Sequence, residues 1–283
     1  MFWAGRRPPA PGVGLRSGTN SEFTLVSAEG DRPVIGTVVG ARIYSVAHPG
    51  AIYLHQGRQW RVEHLDVDGR EALLSPADEA DEYTQAREET EIAIVRADES
   101  AVCGAGHAHV GIVEVTNQVV AYQRKRTSTN ESIEIVPLDV PPRTLTTEAV
   151  WYTLTPSVMA GAGIAPPQIL GAVHAAEHAM IGMLPLFAIC DRWDVGGVSM
   201  AIHPTTGQPT IFIYDGYPGG AGIARLAFQD MAEHVHATAE LVAACPCEAG
   251  CPSCVQSPKC GNWNEYLDKD AAICLLNALA SNR

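Results

Sequence analysis

The alternation of apolar and polar positions divides the chain into two patterns. From about residue 21 to 150, short β-branched-rich runs alternate between turn signals. Glu22–Ala28 and Val34–Val39 are separated by Gly30-Asp31. Ala51–His55 and Gln59–Leu65, joined through Gln56-Gly57, predict a hairpin. Asp68-Gly69 predicts a turn before Glu71–Leu74. Glu91–Val95, His109–Val115, Val119–Gln123 and Ile133–Val136 continue the pattern. The Pro-rich stretch Pro137–Arg143 closes it, and a last strand is expected near Val150–Leu154. Beyond that the apolar runs lengthen. Pro166-Pro167 opens a helical run from Gln168 to about Cys190, and further helices are expected over about Ile223–Ala243 and Lys269–Ala280. Gly197–Ile202 and Thr210–Tyr214 read as strands. The expected class is α+β: a β-rich small barrel or curled sheet over 21–150, then an α+β domain over 151–283. Residues 1–20 are rich in Pro, Gly and Arg without periodicity and read as a linker, expected to continue an upstream domain.

Composition narrows the function classes. Apolar residues make up 46% and charged residues 18%, which predicts a globular chain. No apolar run reaches the roughly 18 residues of a membrane span, and residues 1–9 lack the apolar core of a signal peptide. A cytoplasmic chain without membrane contact is therefore expected. The net charge is −13, with three lysines and sixteen arginines. Such a chain is not a free-standing DNA binder, because phosphate contacts dominate non-specific affinity. Local basic groups are Arg6-Arg7, Arg16 and Arg124-Lys125-Arg126, each more simply read as a solvated turn.

Five of the eight cysteines fall within sixteen residues: Cys245, Cys247, Cys251, Cys254 and Cys260. In a reducing compartment, clustered thiols point to metal or redox chemistry. Zinc takes four ligands in a tetrahedron, and thiolates suit closed structural sites. Cys251-Pro-Ser-Cys254 is the hook that wraps two sulfurs around one ion. Pro246, Gly250, Pro252 and Pro258 make the segment a loop, unlike a thioredoxin-type motif opening a helix. Five thiols for four places leave Cys245 or Cys260 surplus, unless two metals bind. Four thiolates would also hold an iron–sulfur cluster. Cys103, Cys190 and Cys274 lie in apolar surroundings and read as inert.

Two other motifs carry candidate chemistry. His174-Ala175-Ala176-Glu177-His178 places two histidines one helical turn apart with Glu177 beside them, the arrangement of inverzincin peptidases, with Glu233 or Glu240 as a third ligand. The alternative is a helix whose polar side serves packing. Asp215-Gly-Tyr-Pro-Gly-Gly-Ala-Gly222 is a glycine-rich strand-to-helix loop. Free amides at Gly219, Gly220 and Gly222 would suit an anion or a DNA phosphate, and close packing on the cysteine loop is the other reading. Asp78-Glu79-Ala80-Asp81 spells a helicase motor box. It follows Ser75-Pro76-Ala77 in an acidic loop, and no Gly-x-x-x-x-Gly-Lys-Ser/Thr occurs in the chain, so it is a coincidence.

Asp215–Gly222, the Cys245–Cys254 cluster and the tail Ser257-Pro-Lys-Cys260-Gly-Asn262-x-Asn264 leading to Leu267-Asp268-Lys269 together resemble the C-terminal zinc-binding region of MrfA-type, YprA-like DEAD/DEAH-box DNA repair helicases. His174–His178 and His48–Tyr53 are similar to the family as well. The resemblance runs from about Leu15 to the end. It implies a superfamily 2 motor moving along single-stranded DNA with ATP, and a structural zinc on four cysteines, mapped to Cys245, Cys247, Cys251 and Cys254, with Cys260 as the alternative fourth ligand. Both motor lobes are missing from this sequence. The expected function is an accessory zinc module supporting DNA engagement by a helicase motor, in cis or in trans. The alternatives are a zinc hydrolase using His174, Glu177 and His178, and an inactive remnant of a split helicase.

Overall fold

The computed structural model describes residues 22–281. The linker expected over 1–20, with Arg6, Arg7 and Arg16, lies outside the described residues. In chain order the elements are β1 (Glu22–Ser27), β2 (Val34–Val39), α1 (Ile43–Val46), β3 (Ile52–His55), β4 (Arg58–Asp66), β5 (Glu71–Pro76), β6 (Glu82–Cys103), β7 (Gly106–Arg126), β8 (Ser132–Pro137) and β9 (Arg143–Thr153). Then follow α2 (Pro156–Gly161), α3 (Ile169–Met183), β10 (Val195–Met200), β11 (Thr210–Asp215), α4 (Ile223–Gln229), α5 (Met231–Ala244) and α6 (Lys269–Ala280). The class is α+β, a curled sheet first and a helical region last.

The division expected at residue 150 is not where the compact units divide. One unit holds the described residues up to Glu89 with Asn117–Pro142, and the other holds Thr90–Thr116 with the chain from Arg143 onward. The reason is the length of β6 and β7. Each is more than twenty residues long, and each contributes one part to either unit. The polar stretch Glu82–Glu89 carries no clean alternation, so only Glu91–Val95 was legible as strand.

In the first unit the sheet order is β2-β1-β5-β4-β3. The β1–β5 pair is parallel and the others are antiparallel. Register shifts at Leu25/Val26 and Val62/His64 bend the strands, as bulges do, so the sheet curls around Leu25, Val62, Ala72, Leu74 and Ile43. The strand β8 pairs with β7 in this unit. Asp78–Asp81 forms the β5–β6 turn, where Asp78 accepts from Arg58 (2.8 Å) and the Gln59 amide (3.2 Å). That is an ion-paired turn and not the end of an apolar strand.

Glu82 is the buried acid of this unit. Arg61 (2.6 Å) and Arg124 (2.7 Å) converge on its two oxygens. Burial disfavours its charge, but the two guanidiniums outweigh burial and hold its carboxyl below the ordinary 4.5. A depressed carboxyl contributes stability above its unfolded value and loses it as the pH falls through the folded one. Glu82→Gln is therefore expected to destabilise this unit by about 1–3 kcal/mol at pH 7 and to flatten its acid unfolding below about pH 4.5, measured by denaturant titration across pH. The same contacts absorb much of the Arg124-Lys125-Arg126 charge. Arg124 also meets Glu134 (3.0 Å), and Arg126 lies 4.0 Å from Asp81.

The second unit is a sheet of order β10-β11-β9-β7-β6 covered by helices. Successive residues of β9 separate its faces. Trp151 packs with Val113, Val198 and Phe212 on one side, while Val150 and Tyr152 join the helical core on the other. The apolar run Ile211-Phe212-Ile213 is buried throughout, as a central strand covered on both faces requires. The helix α3 carries Ala172, Ala175, Ala176 and Ala179, all fully buried, and small side chains permit close approach by β10, β11, α5 and α6. The stretch Pro166–Leu186 is by length and mean hydropathy (1.3) apolar enough to cross a membrane, which the sequence reading did not anticipate. Of its most apolar window, 61% is buried in this core. The expected helix to Cys190 stops at Met183, where Pro185 follows in a tight turn. The expected Ile223–Ala243 helix is broken at Asp230 into α4 and α5.

Candidate metal centre

The helix α5 ends at Ala244 and delivers Cys245 into an extended loop. The sulfurs of Cys245, Cys247, Cys251 and Cys254 all lie within 4.8 Å of one another. Four of the pairs are 3.5–3.8 Å apart: Cys245–Cys247, Cys245–Cys251, Cys247–Cys254 and Cys251–Cys254. A disulfide would bring two sulfurs to about 2.05 Å. A tetrahedron of sulfurs about 2.3 Å from a central zinc has edges of about 3.8 Å. The donor set and its spacing thus fit zinc.

The local backbone explains the closure. Within the Cys-Pro-Ser-Cys hook, the Cys254 amide donates to the Cys251 carbonyl (3.0 Å) and the Cys251 amide points at Cys254 Sγ (3.3 Å). Gly250 has φ 107°, and a Cβ there would sit 2.5 Å from Val255 Cγ2, so the turn before the hook requires glycine. Val255 is fully buried and anchors the hook in the helical core.

Two of the four thiols are shifted, in opposite directions. Burial opposes ionisation of Cys247. Hydrogen bonds from Cys254, Cys245, Cys251 and the Gly250 backbone outweigh it and bring the thiol down to about 7. Burial pushes Cys254 up to about 12.

Lys269, which the sequence places at the end of the tail motif, braces this loop. Lys269, at the start of α6, is buried, and its ammonium donates to the carbonyls of Cys245 (2.7 Å) and Cys247. Asp268 caps the same helix through the Ala271 amide (2.9 Å) and accepts from Gln168 (3.1 Å). The sequence signal was only an Asp-Lys pair opening a helix. Lys269→Met is expected to destabilise this unit by about 2–3 kcal/mol and to speed zinc release to a chelator, read by a metallochromic dye.

The glycine loop is organised around Asp215. Asp215 is fully buried, and its carboxylate accepts from the amides of Ala221, Ile223 (3.2 Å) and Ala224 (2.8 Å). The Gly219 amide donates to Thr146 (2.9 Å) and that of Gly220 to Tyr217 (3.0 Å). The Gly219 and Gly220 amides, two of those on which an anion site depended, are thus engaged within the chain. Gly220, at φ 88°, lets the loop lie against β9, where a Cβ would meet Glu148 Cβ at 2.8 Å. The packing partner is β9 and not the cysteine loop.

The fifth thiol lies with the histidines. His174, His178 and Cys260 form a second group whose ligand atoms lie within 4.8 Å of one another. Glu177 points elsewhere. Its carboxylate lies against Gly197 of β10 and hydrogen-bonds Ser199, and burial pushes it up to about 7. Glu233 and Glu240 are exposed on α5, with Glu240 beside His236 (3.4 Å), so neither joins the histidines. Cys103 is buried, Cys190 half-buried and Cys274 exposed, and none of the three belongs to either group.

Comparison with known proteins bears on the cysteine cluster directly. The sequence model of the MrfA Zn-binding domain matches residues 176–255, a span that holds Cys245, Cys247, Cys251 and Cys254. An uncharacterized protein of Methanocaldococcus jannaschii, MJ1572.1, is 38% identical over 112 residues, which is 38% of this chain and the whole of that protein. The chain belongs to the MrfA Zn-binding domain family. The uncharacterized ATP-dependent helicase YprA of Bacillus subtilis is 31% identical over 256 residues, covering 89% of this chain and 34% of that protein. The crystal structure of the DUF1998 helicase MrfA bound to DNA superposes with a TM-score of 0.62 at 28% identity, over 98% of this chain and 36% of that one. The chain thus spans about a third of the length of these helicases.

Proposed function

We propose that this chain is the zinc-braced accessory module of a superfamily 2 DNA helicase of the DNA-repair class, in which Cys245, Cys247, Cys251 and Cys254 hold a structural zinc and the module supports DNA engagement by a motor in cis or in trans. The four-sulfur cluster inside the family-matched segment carries the reading. It is supported by the helicases related to the chain and by the absence of a phosphate-loop motif from its sequence. A cytoplasmic setting, which keeps thiols reduced, suits it. The chain is acidic, and Arg124 and Arg126 face internal carboxylates, so DNA contact is shared with a more basic partner. The hydrolase reading is not adopted, because Glu177 faces β10 and Glu233 and Glu240 are exposed.

The test is salt-dependent binding of forked and single-stranded DNA to the purified chain, alone and with a helicase motor fragment. Weak binding alone and tighter binding with the motor are expected, with the gain lost after zinc is stripped. The isolated chain is expected to show no DNA-stimulated ATP hydrolysis. Turnover in a clean preparation, or a motor complex with unaltered DNA affinity, would contradict the proposal.

A further inference from the structure

Cys260 lies in the loop after the cysteine hook, and its sulfur is 3.6 Å from His174 Nε2 on α3. His178 is one helical turn further on. The two imidazole rings are 4.4 Å apart and meet edge to face. A sulfur and a nitrogen sharing a tetrahedral zinc, at about 2.3 and 2.05 Å from it, would be about 3.6 Å apart.

The hydrogen bonds around the group set its donors. His178 Nδ1 lies 2.8 Å from the Val255 carbonyl, which can only accept, so the proton is on Nδ1 and the lone pair on Nε2. His174 hydrogen-bonds the backbone of Glu265 and keeps Nε2 toward Cys260. Metal-ligating histidines are oriented in this way, by a carbonyl on the nitrogen that does not ligate. Both imidazoles are largely enclosed, and burial disfavours their charged forms. The Asn264 amide points at Cys260 Sγ (3.2 Å), and the Cys260 thiol donates to Asn262 Oδ1 (2.8 Å), a bond that metal binding would replace.

The loop is bent to make these contacts. Trp263, Asn264 and Tyr266 have φ of 62°, 63° and 57°, a left-handed conformation that costs about 1 kcal/mol or more for each non-glycine residue. The Asn264 side chain clamps the loop to the Ser257 backbone through bonds of 2.7 and 3.0 Å. Nearby charges divide. The carboxylates of Glu177 and Glu265 act on Cys260, while Arg192 acts on His178.

We propose that His174 Nε2, His178 Nε2 and Cys260 Sγ form a second metal site, for a zinc-class divalent ion, separate from the four-cysteine site and with its fourth position left to solvent. It ties the loop from Ser257 to Tyr266 onto α3. Two imidazoles and one thiolate select zinc or cobalt over magnesium or calcium.

The test is the metal content of the full chain after loading with zinc, and separately with cobalt(II), and removal of excess. Two equivalents per chain are expected, falling to one in Cys260→Ser and in His174→Gln. X-ray absorption of the unmodified chain is expected to show imidazole scattering, which keeps the test valid even where a substitution unfolds the protein. One equivalent in an all-sulfur shell would overturn the second site and leave the four-cysteine reading standing. Two equivalents retained in a folded Cys260→Ser would also overturn it. No bound metal would overturn both.

Discussion

Cys251→Ser is expected to unfold the helical unit. Three sulfurs and a hydroxyl form a poor zinc site, and the free energy of a structural zinc is folding free energy, about 10–16 kcal/mol in small zinc modules. That exceeds or matches the whole stability of an ordinary domain, about 5–15 kcal/mol. The loop has little to replace the ion. It is held by the sulfurs, by Lys269 on two carbonyls and by Val255 in the core. Calorimetry should show the transition of this unit lost or lowered by tens of degrees, with zinc absent from the purified protein. The first unit has its own core around Leu25, Val62 and Leu74 and is expected to keep its hydrogen-exchange protection. An unchanged melting temperature in Cys251→Ser would sink the idea that the ion braces the fold.

Asp215→Ala carries the second largest expected effect. The carboxylate is the common acceptor for three backbone amides at the start of α4, and no water reaches a fully buried oxygen to replace it. Leaving buried donors unpaired costs about 1–3 kcal/mol for each group, with incomplete additivity, so a loss of about 3–5 kcal/mol is expected. Asp215→Asn keeps one acceptor oxygen and is expected to lose about half as much. Denaturant titration of the two variants reads the difference. A loss under about 0.5 kcal/mol for Asp215→Ala would mean that the loop amides find other acceptors, and it would reopen the helix start to an external anion.

The parts of this protein legible in its sequence are those written in short range. Alternation placed β1 to β5 and β8 to within a few residues, and Asp268-Lys269 marked the first turn of α6 where it stands. The Cys-x-Cys-x-x-x-Cys-x-x-Cys spacing brought four thiols to one point because Gly250 and the two prolines leave the loop few other courses. What escaped depends on long-range pairing. The polar half of β6 becomes strand because β7 supplies its hydrogen bonds, and propensity is silent on that. In the glycine loop nothing local shows that Asp215 folds back onto the start of α4. The spacing leaves either Cys245 or Cys260 surplus, or two metals bound. The proximity of Cys260 to His174, 86 residues earlier, exists only once α3 and the tail loop are packed together. The same packing turned Glu177 toward β10 and away from the histidines beside it in sequence.

The most direct measurement is the return of zinc to chelator-stripped protein, followed by near- and far-ultraviolet circular dichroism. The account predicts that stripping melts the helical unit and that added zinc restores its helix signal and tertiary packing together, in step with occupancy of the four-cysteine site. A stripped chain whose spectra are those of the loaded protein would contradict it.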